Sequence, residues 1–212
     1  MPMYLKRDAI RFIEASVSAI SMAVAALGMP RRYDFREVAA ENAVAIGLAG
    51  VAAELSMSAV IVQAQGEDAL KFPTGFYKTG SHIVDDFKKL VGSQIPKMMF
   101  LTQGIEEPSA HIAKLLEMAS KLKLLTKLRA GGLHAGRGPS MDVSIACVND
   151  VIAFISLLGA SSRIKSYVDT LPKPIIITKS YDLIVDELIQ KIAQSNTTLE
   201  KVSSLASVYL VI

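Results

Sequence analysis

An arginine and a histidine lie five positions apart in this chain, with a pair of glycines between them. They are Arg129 and His134, within the segment KLRAGGLHAGR at residues 127–137. Arginine is a permanent cation whose planar fork suits a phosphate, and histidine exchanges a proton near neutral pH. If both meet one phosphodiester, the imidazole can move the proton of a 2′-hydroxyl while the guanidinium stabilises the developing charge. These residue types suffice for RNA cleavage without a metal ion.

The glycine pair decides whether these two side chains can meet. On a continuous α-helix five residues turn through roughly 500°, which leaves the two positions about 140° apart. Gly131 and Gly132 are typical of a helix end, and Pro139 is typical of the first turn of the next helix. We therefore expect Arg129 at the end of one helix and His134 in the bend, facing one cleft. The alternative is an ordinary turn, with the arginine favouring the helix dipole and the histidine exposed or capping.

Positive charge is concentrated around this pair. Residues 113–137 carry six basic residues and one acid, Glu117, although the net charge of the whole 212-residue chain is only +3. Such a surface can attract a polyanion. We expect Lys123, Lys127 and Arg137 to bind RNA phosphates. The alternative is that the lysines only solvate the outer face of a helix.

The hydrophobic pattern predicts the elements that must position the pair. Apolar residues at helical spacing predict helices over residues 6–27, 34–62, 81–91, 109–130 and 140–158. Residues 175–178 read as a strand and residues 181–193 as a helix. The predicted fold is an all-α bundle of four to five helices over residues 1–168 with a small C-terminal α/β extension over residues 169–212. The apolar end at Ile212 suggests a piece of a longer protein.

Composition narrows the class of protein. Hydrophobic residues make up 51% of the chain, enough for a large core. The single cysteine, Cys147, excludes an internal disulfide and fits the reducing cytosol. Residues 43–62 are apolar enough to raise the question of a membrane span, but they include Glu54 and many small residues. We expect a buried helix, no membrane and a cytoplasmic location.

Other chemical sites have weaker patterns. The glycine-rich residues 131–138 lack the Lys-Ser/Thr pair of a phosphate-binding loop and follow a predicted helix. His82, Asp85 and Asp86 could share a metal ion, but an exposed helix start explains them better. Cys147 lies in an apolar helix and is expected to pack there. We therefore expect neither a metal nor a cofactor. A pure interaction protein, which pairs through the long helix at residues 35–62, remains an alternative.

The Arg-x4-His spacing at a junction of two helices resembles the signature of the HEPN superfamily, found in ribonuclease toxins and antiviral defence effectors. The resemblance covers residues 8–165 and matches the family's arginine and histidine to Arg129 and His134. It implies a metal-independent endoribonuclease with these two catalytic residues. It also implies a homodimer with a composite active site, and an antitoxin or a larger defence complex as a further partner. The chain departs from the pattern at Ala130, where many members have a polar residue, so the alternative is an inactive module that binds RNA or protein.

Overall fold

The computed structural model describes residues 4–28, 35–93, 99–135 and 139–175. Within these ranges the side chains of residues 35–41, 127–128 and 130–135 lie outside the description. The chain divides into two compact units, Met1–Pro174 and Ile175–Ile212. Apart from Ile175, the second unit lies outside the described residues. The predicted strand, the predicted helix at residues 181–193 and the domain boundary after residue 168 therefore stay predictions.

The described part of the first unit is helical. Its helices are α1 (Arg7–Gly28), α2 (Phe35–Gln65), α3 (Ser81–Ser93), α4 (Met99–Thr102), α5 (Pro108–Ala135) and α6 (Met141–Gly159). Two 3-10 turns, Glu67–Leu70 and Lys165–Tyr167, follow α2 and α6. The described residues contain no β-strand, only an isolated bridge between Lys71 and Tyr77. The all-α prediction is confirmed for this part of the chain. The short helix α4 lies between α3 and α5, where the hydrophobic pattern predicts no helix.

Helix α2 is the centre of the bundle. It packs against α1, α3, α5 and α6. A helix that is apolar on all sides is stable only when other elements cover it. The small side chains of α2 allow its neighbours to approach closely, and Ala45, Ala49 and Ala52 are fully buried. The alanine-rich sequence therefore produces a central helix.

The other long helices bury one stripe each. In α3 and α5 the buried side chains recur three or four positions apart, as the sequence predicts; they include Ile83, Phe87, Leu90, Ile112, Leu115, Leu122 and Leu125. The ring of Phe87 meets that of Phe154 edge to face, with centroids 5.6 Å apart. This pair joins α3 to α6 in the core.

The expected helix break at Gly131 and Gly132 is wrong. Helix α5 runs through both glycines and ends at Ala135. A glycine inside a helix costs about 1 kcal/mol relative to alanine. Tertiary packing commonly outweighs such a preference, and α5 packs against α2, α3 and α6. The connection to α6 therefore begins after Ala135.

Candidate functional site

Arg129 forms an ion pair with Glu54, a partner that the local sequence pattern does not identify. Nη1 of Arg129 on α5 donates to Oε1 of Glu54 on α2. The arginine side chain is 25% exposed and the glutamate side chain 12%. A carboxylate this buried requires a charged or hydrogen-bonding partner, and Arg129 supplies both. An acidic residue within the apolar stretch at residues 43–62 was a signal in the sequence that a cation lies opposite it, although not which cation.

Two further residues close around this pair. Gly80, at the start of α3, has a φ of +56°, a left-handed conformation that glycine adopts readily. A β-carbon at that position would lie 3.8 Å from Cβ of Thr126 and 3.9 Å from Oε1 of Glu54. Helices α2 and α5 and the start of α3 therefore meet at the Glu54–Arg129 pair.

The chain just after α5 is also held by α2. Nδ2 of Asn42 donates to the carbonyl oxygen of Pro139 at 3.0 Å, and Asn42 is buried. The first turn of α6 follows at once, with the backbone N–H of Ser144 donating to the carbonyl of Ser140 at 3.0 Å. Helix α2 thus contacts the chain before His134, at Arg129, and after it, at Pro139.

The remaining predicted site residues differ in how much the structure describes. Nζ of Lys123 lies 2.7 Å from Oδ1 of Asp85 on α3, and the two side chains are 41% and 56% exposed. The side chains of Lys127 and His134 lie outside the described residues, as does all of Arg137. Because α5 is continuous, positions 129 and 134 stand about 140° apart around its axis. The backbone therefore places the two positions on different faces of α5.

The three candidate metal ligands on α3 have separate partners. The ring of His82 packs edge-on against Phe72, with centroids 5.0 Å apart. Asp85 pairs with Lys123, and Asp86 pairs with Lys78 at 2.8 Å. Within the described ranges, no cluster of three or more histidine, cysteine or acidic side chains could hold a metal ion.

His111, in the first turn of α5, is buried. It is 8% exposed, and its Nε2 has no hydrogen-bond partner. Burial lowers the pKa of His111, opposed by a backbone hydrogen bond with Leu101, while the nearby charge of Lys114 lowers it further. Helical spacing could have shown this, because residue 111 precedes the buried Leu115 by four positions.

Three described helices are long and apolar enough to cross a membrane, by length and composition alone: Arg7–Gly28, Asn42–Gln65 and Met141–Gly159. Within the protein, 72% of the apolar window in the second is buried, against 44% in each of the others. The second contains the Glu54 side chain and its ion pair with Arg129.

Comparison with known proteins gives no relative: no family model, curated protein or solved structure matches this chain.

Proposed function

We propose that this chain is a metal-independent endoribonuclease of the toxin or antiviral-defence type. Arg129 holds the scissile phosphate and stabilises its developing charge, and His134 transfers protons. The 2′-oxygen of RNA forms a bond to phosphorus while the bond from phosphorus to the 5′-oxygen breaks. The imidazole takes the 2′ proton, and a protonated imidazole returns a proton to the leaving 5′-oxygen. The products are a 2′,3′-cyclic phosphate and a 5′-hydroxyl.

The Glu54–Arg129 pair is the observation that carries this proposal. A guanidinium has five N–H donors, and the pair with Glu54 uses one on Nη1. The arginine side chain remains a quarter exposed, so an anion can approach it from solution. Lys123 lies on the same helix, and its pair with Asp85 is exposed, where phosphate can compete for the ammonium group.

The helical geometry favours a site built from two copies of the chain. Positions 129 and 134 are about 140° apart on α5, so one helix does not present both to a single phosphate. In a twofold symmetric dimer each surface meets its own copy, and Arg129 of one protomer can lie opposite His134 of its partner. We therefore propose a homodimer with composite sites, in keeping with the HEPN resemblance.

We also propose a cytoplasmic location. If α2 crossed a bilayer, helix α5 would lie beside it in the hydrocarbon, because Arg129 of α5 pairs with Glu54 in the middle of α2. Lys121 and Lys123 lie on α5 within about 12 Å of Arg129 along the helix, and such partly exposed charges are costly in lipid. Membrane fractionation of cells that express the chain tests this: recovery in the soluble fraction is expected, and carbonate-resistant pelleting would contradict it.

The direct test of function is incubation of the purified chain with total RNA, with and without EDTA. Cleavage that survives EDTA, leaves cyclic phosphate ends and disappears in both Arg129→Ala and His134→Ala is expected. His82→Ala is a matched control, because that exposed histidine lies on α3 and contacts Phe72. Absence of cleavage, or cleavage unaffected by the two substitutions, would reject the nuclease.

The alternative function is an inactive helical module that binds RNA or a partner protein. The continuous α5 supports it for a monomeric chain, because a single copy lacks a face shared by the two catalytic positions. Tight RNA binding without cleavage, in a protein that stays monomeric at micromolar concentration, would establish this alternative.

A further inference from the structure

Gly50 makes room for the side chain of Arg129. It lies one helical turn before Glu54 on α2 and is buried. A β-carbon at position 50 would lie 2.8 Å from Cδ, 2.9 Å from Cβ and 3.1 Å from Cγ of Arg129. Carbon atoms at such distances overlap, so even alanine would displace the arginine. The aliphatic part of Arg129 therefore rests directly on the backbone of α2.

Glu54 holds the other end of the same side chain. Its carboxylate accepts from Nη1 of Arg129, and its own side chain is largely buried by α2 and its neighbours. Gly80, just before α3, approaches both the Glu54 carboxylate and Thr126 of α5. The arginine is thus fixed at its stem by Gly50 and at its head by Glu54, and its side chain as a whole is 25% exposed.

We infer that Gly50 and Glu54 are positioning residues that fix the Arg129 guanidinium for an incoming phosphate. The inference rests on the proposed function for its catalytic meaning. Arginine has many rotamers, and a substrate that must immobilise a free side chain loses affinity and rate. A side chain already fixed by a glycine contact and an ion pair avoids that loss. The acid also limits the cost of keeping a cation partly out of water before substrate binds.

The test compares Glu54→Ala, Glu54→Gln and Gly50→Ala with the original chain. Glu54→Gln retains a hydrogen-bond acceptor of the same size and removes the charge. The control for the glycine is Gly92→Ala on α3, where the nearest atom to an added β-carbon is Cδ1 of Leu116 at 4.0 Å. The control for the acid is Asp8→Asn, which removes the exposed pair with Arg11.

Two readouts separate the inference from the proposed function. The first is RNA cleavage: Glu54→Ala and Gly50→Ala should lower kcat about a hundredfold, with a smaller change in KM, and Glu54→Gln should recover part of the loss. The second needs no activity: it is the rate at which phenylglyoxal, an arginine reagent, modifies Arg129, followed by peptide mass mapping. This rate should rise in Glu54→Ala and Gly50→Ala and stay unchanged in both controls.

The outcomes are distinct. If Arg129 is modified faster in Glu54→Ala and Gly50→Ala but the original chain never cleaves RNA, the positioning contacts are supported and the nuclease is rejected. An active chain in which Glu54→Ala and Gly50→Ala keep the original kcat would reject the inference and retain the nuclease. Unchanged modification rates in folded variants, as judged by circular dichroism, would overturn the inference whatever the activity.

Discussion

At the scale of single residues, two of the described basic groups of α5 are paired with acids from neighbouring helices. Arg129 meets Glu54 of α2, and Lys123 meets Asp85 of α3. The two pairs differ in burial, and burial determines how much each pair contributes to the stability of the fold. A largely buried acid depends on its partner for stability, whereas an exposed pair contributes at most about 1 kcal/mol. The exposed pair is therefore free to exchange its acid for an RNA phosphate.

Replacing Asp85 by asparagine should strengthen RNA binding. The substitution removes the carboxylate that competes with phosphate for Lys123 and costs no more than about 1 kcal/mol of unfolding free energy. Conversely, Lys123→Gln should weaken binding and reduce the slope of log affinity against log salt by about one. Fluorescence anisotropy with a labelled RNA over a salt series measures both. Asp68→Asn, which removes the separate Lys71 pair, is the control, and equal affinities throughout would show that Lys123 does not contact RNA.

His111 gives the bundle a dependence on acidic pH. Burial lowers its pKa below the ordinary value of 6.5, so the unfolded chain takes up a proton more readily than the folded chain. The stability gained from the neutral imidazole is present above pH 6.5 and is lost as the pH falls from 6.5 through the folded-state pKa. Urea unfolding from pH 7.5 to pH 5 should show this loss of unfolding free energy. The loss should be smaller in His111→Phe, which lacks the imidazole. The control His82→Gln should retain the slope, and identical pH profiles in all three proteins would contradict the assignment.

At the scale of elements, helical periodicity predicted most of the architecture. The spacing of apolar residues predicts helices α1, α3 and α5, because one apolar face that the protein covers is enough to fix each helix. The end of α5 could not be predicted in this way. Glycine preference describes an isolated helix, whereas α5 is stabilised by contacts with α2 that the local sequence does not reveal. The Glu54–Arg129 pair spans 75 positions, so no local pattern specified it. The burial of His111 follows from helical spacing, because it precedes the buried Leu115 by four positions.

Alanine at Gly131 or Gly132 tests the continuous α5 directly. Within a regular helix each substitution should raise the unfolding free energy by up to about 1 kcal/mol, because alanine loses less conformational freedom than glycine. At a helix end with a left-handed backbone the same substitutions would destabilise the protein. Urea denaturation of both variants distinguishes the two cases. Gly66→Ala is the comparison for a strained site, because Gly66 has a φ of +93° and should lose stability.

At the scale of the whole molecule, the arrangement of α5 predicts that activity depends on association. Arg129→Ala and His134→Ala should each be inactive alone. If the sites are composite, a mixed dimer holds one site with both groups intact, so an equal mixture of the two variants should regain about a quarter of the original activity. The measurement is EDTA-resistant RNA cleavage after co-refolding, with each variant refolded separately as the control.

Activity should also fall on dilution below the dimer dissociation constant, as followed by sedimentation. A mixture as inactive as its components would place both groups in one chain or exclude the nuclease. In the first case the original protein would remain active as a monomer, and in the second it would cleave nothing at any concentration.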